Sequence, residues 1–393
     1  MRGVTDATLP TAAAAPNTVE RAAHAFATVE QWMSSDPMAG LLGLFDQATA
    51  APPADWTSWL HLNEELPEWL EAVFQAADSV PRGLTPDQVE VLRRTLSVER
   101  TAAAHFNFRT RDGSGYRERS QAVDGAFSQQ TRARVLALTT ELGLVEARPP
   151  RFASYEKTLV LGGGYRSPLL RARLAARFRA TGVDLGEISF LGSPRFLIED
   201  PPEHVATAEY APEATDEFGL MIGAVRAEFG LAASEVTFLC GCPSADQRCP
   251  KWLAQGAEGA DETPPAYTHE RQATLIESDG RVIGSVLSAS TGRPPYRPDT
   301  SDTFGLWARC AQPRLGQRVL VVTTQVFVPF QTFDGLRRLY LPFGVDLDTV
   351  GLGTEYADRP LTTEYLLQET LSAIRSARRL LVDAAETLMS TPT

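Results

Sequence analysis

Lysine is almost missing from this chain: of 393 residues only Lys157 and Lys251 are lysine, so arginine supplies nearly all of the 37 positive charges. With abundant Ala, Gly and Pro, that bias reads as the codon usage of a high-GC bacterial genome. Positive charge is also outnumbered. Forty-nine acidic residues leave a formal net charge of −12, which argues against a nucleic-acid backbone or an anionic membrane surface as partner. No run reaches the roughly 18–20 apolar residues of a membrane helix, so no membrane partner is expected. The first residues, MRGVTDATLPTAAAAPNTVE, lack an apolar h-region. Residues 1–18 are therefore read as a disordered leader, with a cytoplasmic location.

Reactive motifs are scarce too. The five histidines form no H-x-x-x-H or H-E-x-x-H pattern, and no G-x-S-x-G elbow occurs. Zincin-type and Ser-His-Asp hydrolase chemistry are thus unsupported. Cysteine appears four times, and Cys240, Cys242 and Cys249 fall in a C-x-C-x₆-C cluster with Cys310 and His269 as possible fourth ligands. Structural zinc sites favour paired C-x₂-C spacing, so zinc at Cys240, Cys242 and Cys249 is not the expectation, and no metal site is assigned. A disulfide and free thiols are the other readings.

Two segments dominate what is present. Residues 19–150 carry helical periodicity: VERAAHAFATVEQWM, EELPEWLEAVFQAADSV and TPDQVEVLRRTLSVERTAAAHF repeat apolar residues at spacings of three and four. Thr85-Pro86-Asp87 is a start signal with proline at the first helical position. Pro149-Pro150 closes this expected helical domain. Its aromatics, Trp56, Trp59, Trp69 and those of HFNFRTRDGSGYRER, are read as core or as a roof over a cleft.

Residues 151–393 alternate in type. Strands are expected at Thr158–Leu161, Glu187–Leu191, Arg281–Ser288, Arg318–Thr323 and Gly344–Val350. Helices are expected at Pro168–Ala180, Asp216–Phe229, Thr300–Ala311, Pro329–Leu339 and Thr362–Leu388. Runs such as TLVLG and LVVTT are apolar throughout, as parallel strands covered on both faces require. The class is therefore α/β: a Rossmann-like, doubly wound, mainly parallel sheet preceded by an all-helical domain. Residues 232–277 are turn-rich and read as an insertion, possible lid included.

In such sheets ligands bind beyond the carboxyl ends of the strands. KTLVLGGGYR places Gly162, Gly163 and Gly164 there, without the G-x-G-x-x-G spacing of a dinucleotide fingerprint, followed by Arg166 and Ser167. Bare glycine amides and a helix start suit an anion; Arg166, Arg195 and Arg297 are candidate clamps for carboxylate or phosphate. Thr300, Thr324 and Gln325 complete the candidate ligand-binding set. Asp216, Glu217 and Asp299 are the candidate acid–base residues, each with a plain alternative role as a helix cap.

LVLGGG, TDEFGLM, PDTSDT and VLVVTTQVFVPFQ together resemble the YdcF/SanA/ElyC-like family of α/β proteins, in divergent form and over roughly residues 155–355. The resemblance implies a Rossmann-like sheet whose pocket is lined by Gly162, Gly163, Glu217, Asp299, Thr300 and Thr324. It also implies envelope-related roles and nucleotide-like ligands such as S-adenosylmethionine. Asp299 stands where that family favours Asn, Phe327 where it favours His, and Phe330 or Gln331 where it favours Arg.

The expected activity is that of an enzyme acting on a small polar or anionic metabolite, nucleotide- or phosphate-like, in bacterial specialised metabolism. Its acid–base chemistry would sit at the carboxyl edge of the sheet. The alternatives are a non-catalytic protein binding a nucleotide-like ligand or acting as scaffold, and an S-adenosylmethionine-binding transferase. The last lacks an acidic residue at Gly192-Ser193-Pro194, where ribose is usually held.

Overall fold

A computed structural model describes residues 17–45, 66–75, 80–108, 125–199, 202–254, 263–292, 298–353 and 360–391. The first of these carry helices α1 (Thr18–Met33), α2 (Asp36–Gly43), α3 (Glu68–Gln75), α4 (Pro86–His105) and α5 (Gln129–Glu141). Their starts follow capping chemistry. Asn17, Ser35, Thr85 and Ser128 each accept a backbone N–H of the first turn, and Thr85 with Gln88 closes a full capping box.

The second half alternates as the sequence suggests. In order come β1 (Lys157–Leu161), α6 (Ser167–Ala180), β2 (Glu187–Gly192), α7 (Glu203–Thr207) and α8 (Glu217–Phe229). Next are β3 (Ala232–Ala233), β4 (Thr237–Phe238), α9 (Pro250–Leu253), β5 (Arg271–Ile276) and β6 (Val282–Ser288). The chain continues through α10 (Thr300–Ala311), β7 (Arg318–Thr324), α11 (Val328–Gly335), α12 (Leu341–Phe343), β8 (Asp346–Leu352) and α13 (Thr363–Ser390). A π-turn over Leu336–Tyr340 joins α11 to α12.

The strands form one eight-stranded sheet in the order β3-β5-β6-β2-β1-β7-β8, with β4 also on β5. From β6 to β8 every pairing is parallel. Counted among these parallel strands alone, the order is third, second, first, fourth, fifth. This is the Rossmann-like winding, and the direction of winding reverses between β1 and β7.

Alternation along each strand divides the interior in two. Leu159, Leu161, Val319 and Val321 face one core with α10, α11 and α13. Val160, Phe190, Leu320 and Val322 face another with α6 and α8. Because both faces are covered, these strands read as unbroken apolar runs.

Two features differ from expectation. Residues 232–277 are more than a connection, since β5 within them adds an antiparallel strand to the sheet. Its burial alternates, so it lacks the continuous apolar run that betrays the parallel strands. The helices of the first segment also share their core. Phe26, Trp32, Leu92 and Leu138 lie in the same apolar cluster as Leu371, Ile374 and Val321. α13 carries 19 buried residues because it is packed between the early helices and the layer that covers the sheet.

Candidate functional site

β1 ends where the winding reverses, and the chain turns there through Gly162–Arg166 into α6. Gly163 (φ +155°) and Tyr165 (φ +53°) both have positive φ. For tyrosine this left-handed conformation is unfavourable and needs outside support. The support is visible: the Tyr165 amide donates to Glu203 Oε1 at 2.5 Å, and its carbonyl accepts from the Tyr210 hydroxyl at 2.5 Å. α6 then begins at Ser167 with Arg166 at its N-cap and no side-chain cap bond. The Ser167 amide donates to the Gly164 carbonyl and Pro168 carries no N–H, so what this helix start turns toward a partly open turn is the positive end of its dipole.

A buried ionic cluster lies behind the turn. Arg195, 3% exposed, donates both terminal nitrogens to Glu203, at 2.8 and 2.9 Å, and its Nε lies 3.6 Å from Glu217 Oε2. The Ser193 hydroxyl donates to Glu217 Oε2 at 2.8 Å. Burial works against the Glu203 carboxylate, but the bonds from Arg195 and from the amides of Ile198 and Tyr165 outweigh it and hold its pKa below the ordinary value. The glycines are what let the turn sit on this cluster. A Cβ on Gly162 would run into Glu217 and lie 2.7 Å from the Leu191 carbonyl; one on Gly164 would run into Glu203.

On the other side, toward β7, buried Arg171 donates to Thr324 Oγ1 at 3.1 Å and to the carbonyls of Leu161 and Gly162. Its guanidinium stacks over Phe327, 5.5 Å from the ring centroid. A positive charge is thereby fixed under the point where β1 and β7 diverge.

Of the sequence candidates, Gly162, Gly163, Gly164, Ser167, Arg195, Glu217 and Thr324 converge on this turn. Others are occupied elsewhere. Asp216 caps α8 through the Gly219 amide (2.9 Å) and pairs with Arg271 at 2.5 Å. Asp299 caps α10 in a reciprocal box with Asp302, with Thr300 as the first helical residue. Arg166 pairs with Glu209 on the surface at 2.7 Å, and Gln325 donates to the Gly143 carbonyl at 2.8 Å. Arg195 is engaged internally rather than presented to a ligand. Arg297 lies outside the described residues.

Glu203, Arg171 and Tyr210 escape a reading by sequence. Arg171 has one signal, since it lies four residues after Ser167 on the same helix face. Glu203 has none, sitting in a proline-flanked stretch.

A second constellation forms in residues 232–277. Cys240, Cys242, Cys249 and His269 gather with their ligand atoms all within 4.8 Å of one another. Cys310 is exposed on α10 and is not among them.

The molecule is thus a Rossmann-like α/β protein with a glycine turn at its topological switch point and a layer of helices over one face. Similar chains are found in mycobacteria. It is 33% identical over 272 residues to uncharacterized protein Rv3785 of Mycobacterium tuberculosis H37Rv, covering 66% of this chain and 70% of the relative. The same figures hold for uncharacterized protein Mb3814 of Mycobacterium bovis. The chain belongs to the family of these mycobacterial proteins. No family model matches it, and no solved structure matches it. Among the described residues no helix is long and apolar enough to cross a membrane.

Proposed function

We propose that the turn between β1 and α6 binds a small anionic or strongly polar metabolite, nucleotide- or phosphate-like. One observation carries this reading: a helix that starts without a side-chain cap, on a turn held at positive φ, at the switch point of the sheet. The dipole of such a start favours phosphate or carboxylate. Arg171 adds positive charge beneath it, and Thr324, partly exposed, offers a hydroxyl at its rim. A cytoplasmic role in bacterial metabolism belongs to the same proposal, as does kinship with the YdcF/SanA/ElyC-like proteins, since Gly162, Gly163, Glu217 and Thr324 meet at one turn.

The capping of Asp216 and Asp299 favours binding over acid–base catalysis. An enzyme remains the second reading, with Glu217 as its acid or base, because this carboxylate packs against Gly162. Glu217 also bears on the transferase alternative: it meets Ser193, so α8 brings a carboxylate to the end of β2 where the sequence of β2 has none.

Thermal-shift titration with inorganic phosphate, ADP and S-adenosylmethionine tests the proposal. A ligand at about 100 times its Kd adds about 2.7 kcal/mol of stability, enough to raise Tm by several degrees. At least one of the three is expected to do so, with a weaker shift in Thr324→Val. No shift from any of them at millimolar concentration would overturn the reading.

A further inference from the structure

We infer that Cys240, Cys242, Cys249 and His269 form a structural zinc site that ties β4, the turn after it and α9 to β5 at the sheet edge. The geometry is that of a tetrahedral site. With zinc–sulfur bonds of about 2.3 Å, tetrahedral edges between sulfurs are about 3.8 Å, and sulfur–nitrogen edges are slightly shorter. Cys242 Sγ lies 3.8 Å from Cys249 Sγ, and Cys240 Sγ lies 3.4 Å from His269 Nδ1.

The histidine is set up as a ligand by its other nitrogen. His269 Nε2 lies 2.6 Å from the Gln247 carbonyl, which only accepts, so Nε2 carries the hydrogen. In the neutral ring Nδ1 then turns a lone pair toward the three sulfurs, the orientation that outer partners impose on metal-bound histidines. Edge packing of the Phe238 ring, 5.6 Å between centroids, fixes the imidazole plane.

Local structure delivers each sulfur. Cys240 and Cys242 flank Gly241, whose φ of +80° permits the tight turn after β4 and whose amide donates to Phe238. Cys249 stands at the start of α9, with its amide donating to Thr268 Oγ1 at 2.8 Å. His269 leads into β5. The four ligands thus tie together β4, the turn after it, α9 and β5, which is the economy of a small metal-knit module.

The segment has need of such a knot. Between β4 and β5 the buried apolar residues among those described are Cys249 and Trp252, and neither joins the two large apolar clusters. A unit this small cannot hold itself by apolar burial and requires a staple. What is stapled reaches the proposed binding edge. Trp252 Nε1 donates to the Thr291 carbonyl beyond β6 at 2.8 Å, and Tyr267 lies against Phe196 beyond β2. Four protein ligands close the coordination sphere, so the site is structural rather than catalytic.

The test is metal analysis of the full chain, purified under reducing conditions without chelator, by inductively coupled plasma and native mass spectrometry. One zinc per chain is expected, retained in Cys310→Ser and lost in Cys249→Ser. His269→Cys, which keeps four ligands, is expected to retain it. Cobalt exchanged into the wild type should give the intense visible bands of tetrahedral thiolate coordination. Because the zinc count and the cobalt spectrum are read on the wild type, poor folding of a serine variant does not blunt the test.

Three outcomes would overturn the inference. Metal-free protein with no Tm change on adding zinc would do so, as would a Cys242–Cys249 disulfide in the native chain. The third is selective alkylation of Cys240 by iodoacetamide at an unchanged rate in zinc-saturated protein, the signature of a Cys240–His269 nucleophile pair rather than a coordinated thiolate.

Discussion

At the scale of single residues, two buried carboxylates contrast in how their oxygens are satisfied. Glu203 has two bonds from Arg195 and two from amides. Asp334 on α11 is fully buried, and the Ser376 hydroxyl at 2.5 Å serves only its Oδ1; Oδ2 has no partner among the described residues. Burial first, then the nearby charge of Asp299, push its pKa up to about 6 against attraction from Arg379 and Arg337. The sign follows from linkage. An acid whose folded pKa is raised holds its proton longer in the native state, so its ionisation costs stability as pH climbs from about 4 to about 6. Asp334→Asn removes that cost. Urea unfolding should show the variant near wild type at pH 4 and more stable at pH 7.5, by on the order of 3 kcal/mol at about 1.4 kcal/mol per pKa unit. Equal stability at both pH values would refute this account. Sequence gives no hint of Asp334, because a carboxylate in TFDGL looks like any surface residue until the helix phase is known. Gly162 is the opposite case, legible because a glycine run after an apolar strand has few other uses.

Among elements, those with a single physical signal are legible and those whose signal is shared are not. The parallel strands announce themselves as unbroken apolar runs, and all five fall within two residues of the expected bounds. β5 pairs at the sheet edge with alternating burial, in a stretch whose turn formers dominate, and so it hides. α13 is legible as a helix but not as a centrepiece. Its many arginines and glutamates suggest a solvent face, yet Arg375 and Arg378 are buried against Glu99 of α4, with Arg378 Nε 2.7 Å from Glu99 Oε2. Ionic pairs that span the layer interface fix which face of α13 meets α4, and this pairing cannot be read from either helix alone. Leu371, fully buried on α13, reports the apolar part of the same interface. Leu371→Ala should cost about 2–5 kcal/mol, the range for a buried leucine left as a cavity. A loss below about 1 kcal/mol in urea titration would mean that α13 does not anchor the layer.

For the whole molecule, one continuous apolar cluster is the governing fact. Residues from α1, α4 and α5 share it with β1, β7, α11 and α13, while α6 and α8 close the far face of the same sheet. Removing the early helices would strip one side of α13, whose stretch from Leu366 to Leu388 is buried at most positions. An exposed face of that size is not tolerated in a soluble fold. Helical periodicity and the Pro149-Pro150 break suggest a separate helical unit, because sequence shows where a helix keeps its apolar stripe but not which partner covers it. Cooperative unfolding follows from the shared core: calorimetry of the reduced, metal-replete chain should give one transition, with calorimetric and van't Hoff enthalpies in agreement. Near-ultraviolet signals from Trp32, buried in the helical layer, and Trp307, buried on α10, should vanish together in that transition. Two separated transitions would mean that the layer above α13 is held by less than the burial of its apolar residues implies. The proposed ligand turn at the end of β1 would then be built on the sheet alone, and a chain beginning after Pro150 would bind as the full chain does. With one transition, the turn is lost only when the whole chain unfolds, so a core substitution as distant as Trp32 should lower the Tm of the free and the ligand-bound chain alike and leave Kd unchanged until the folded fraction falls.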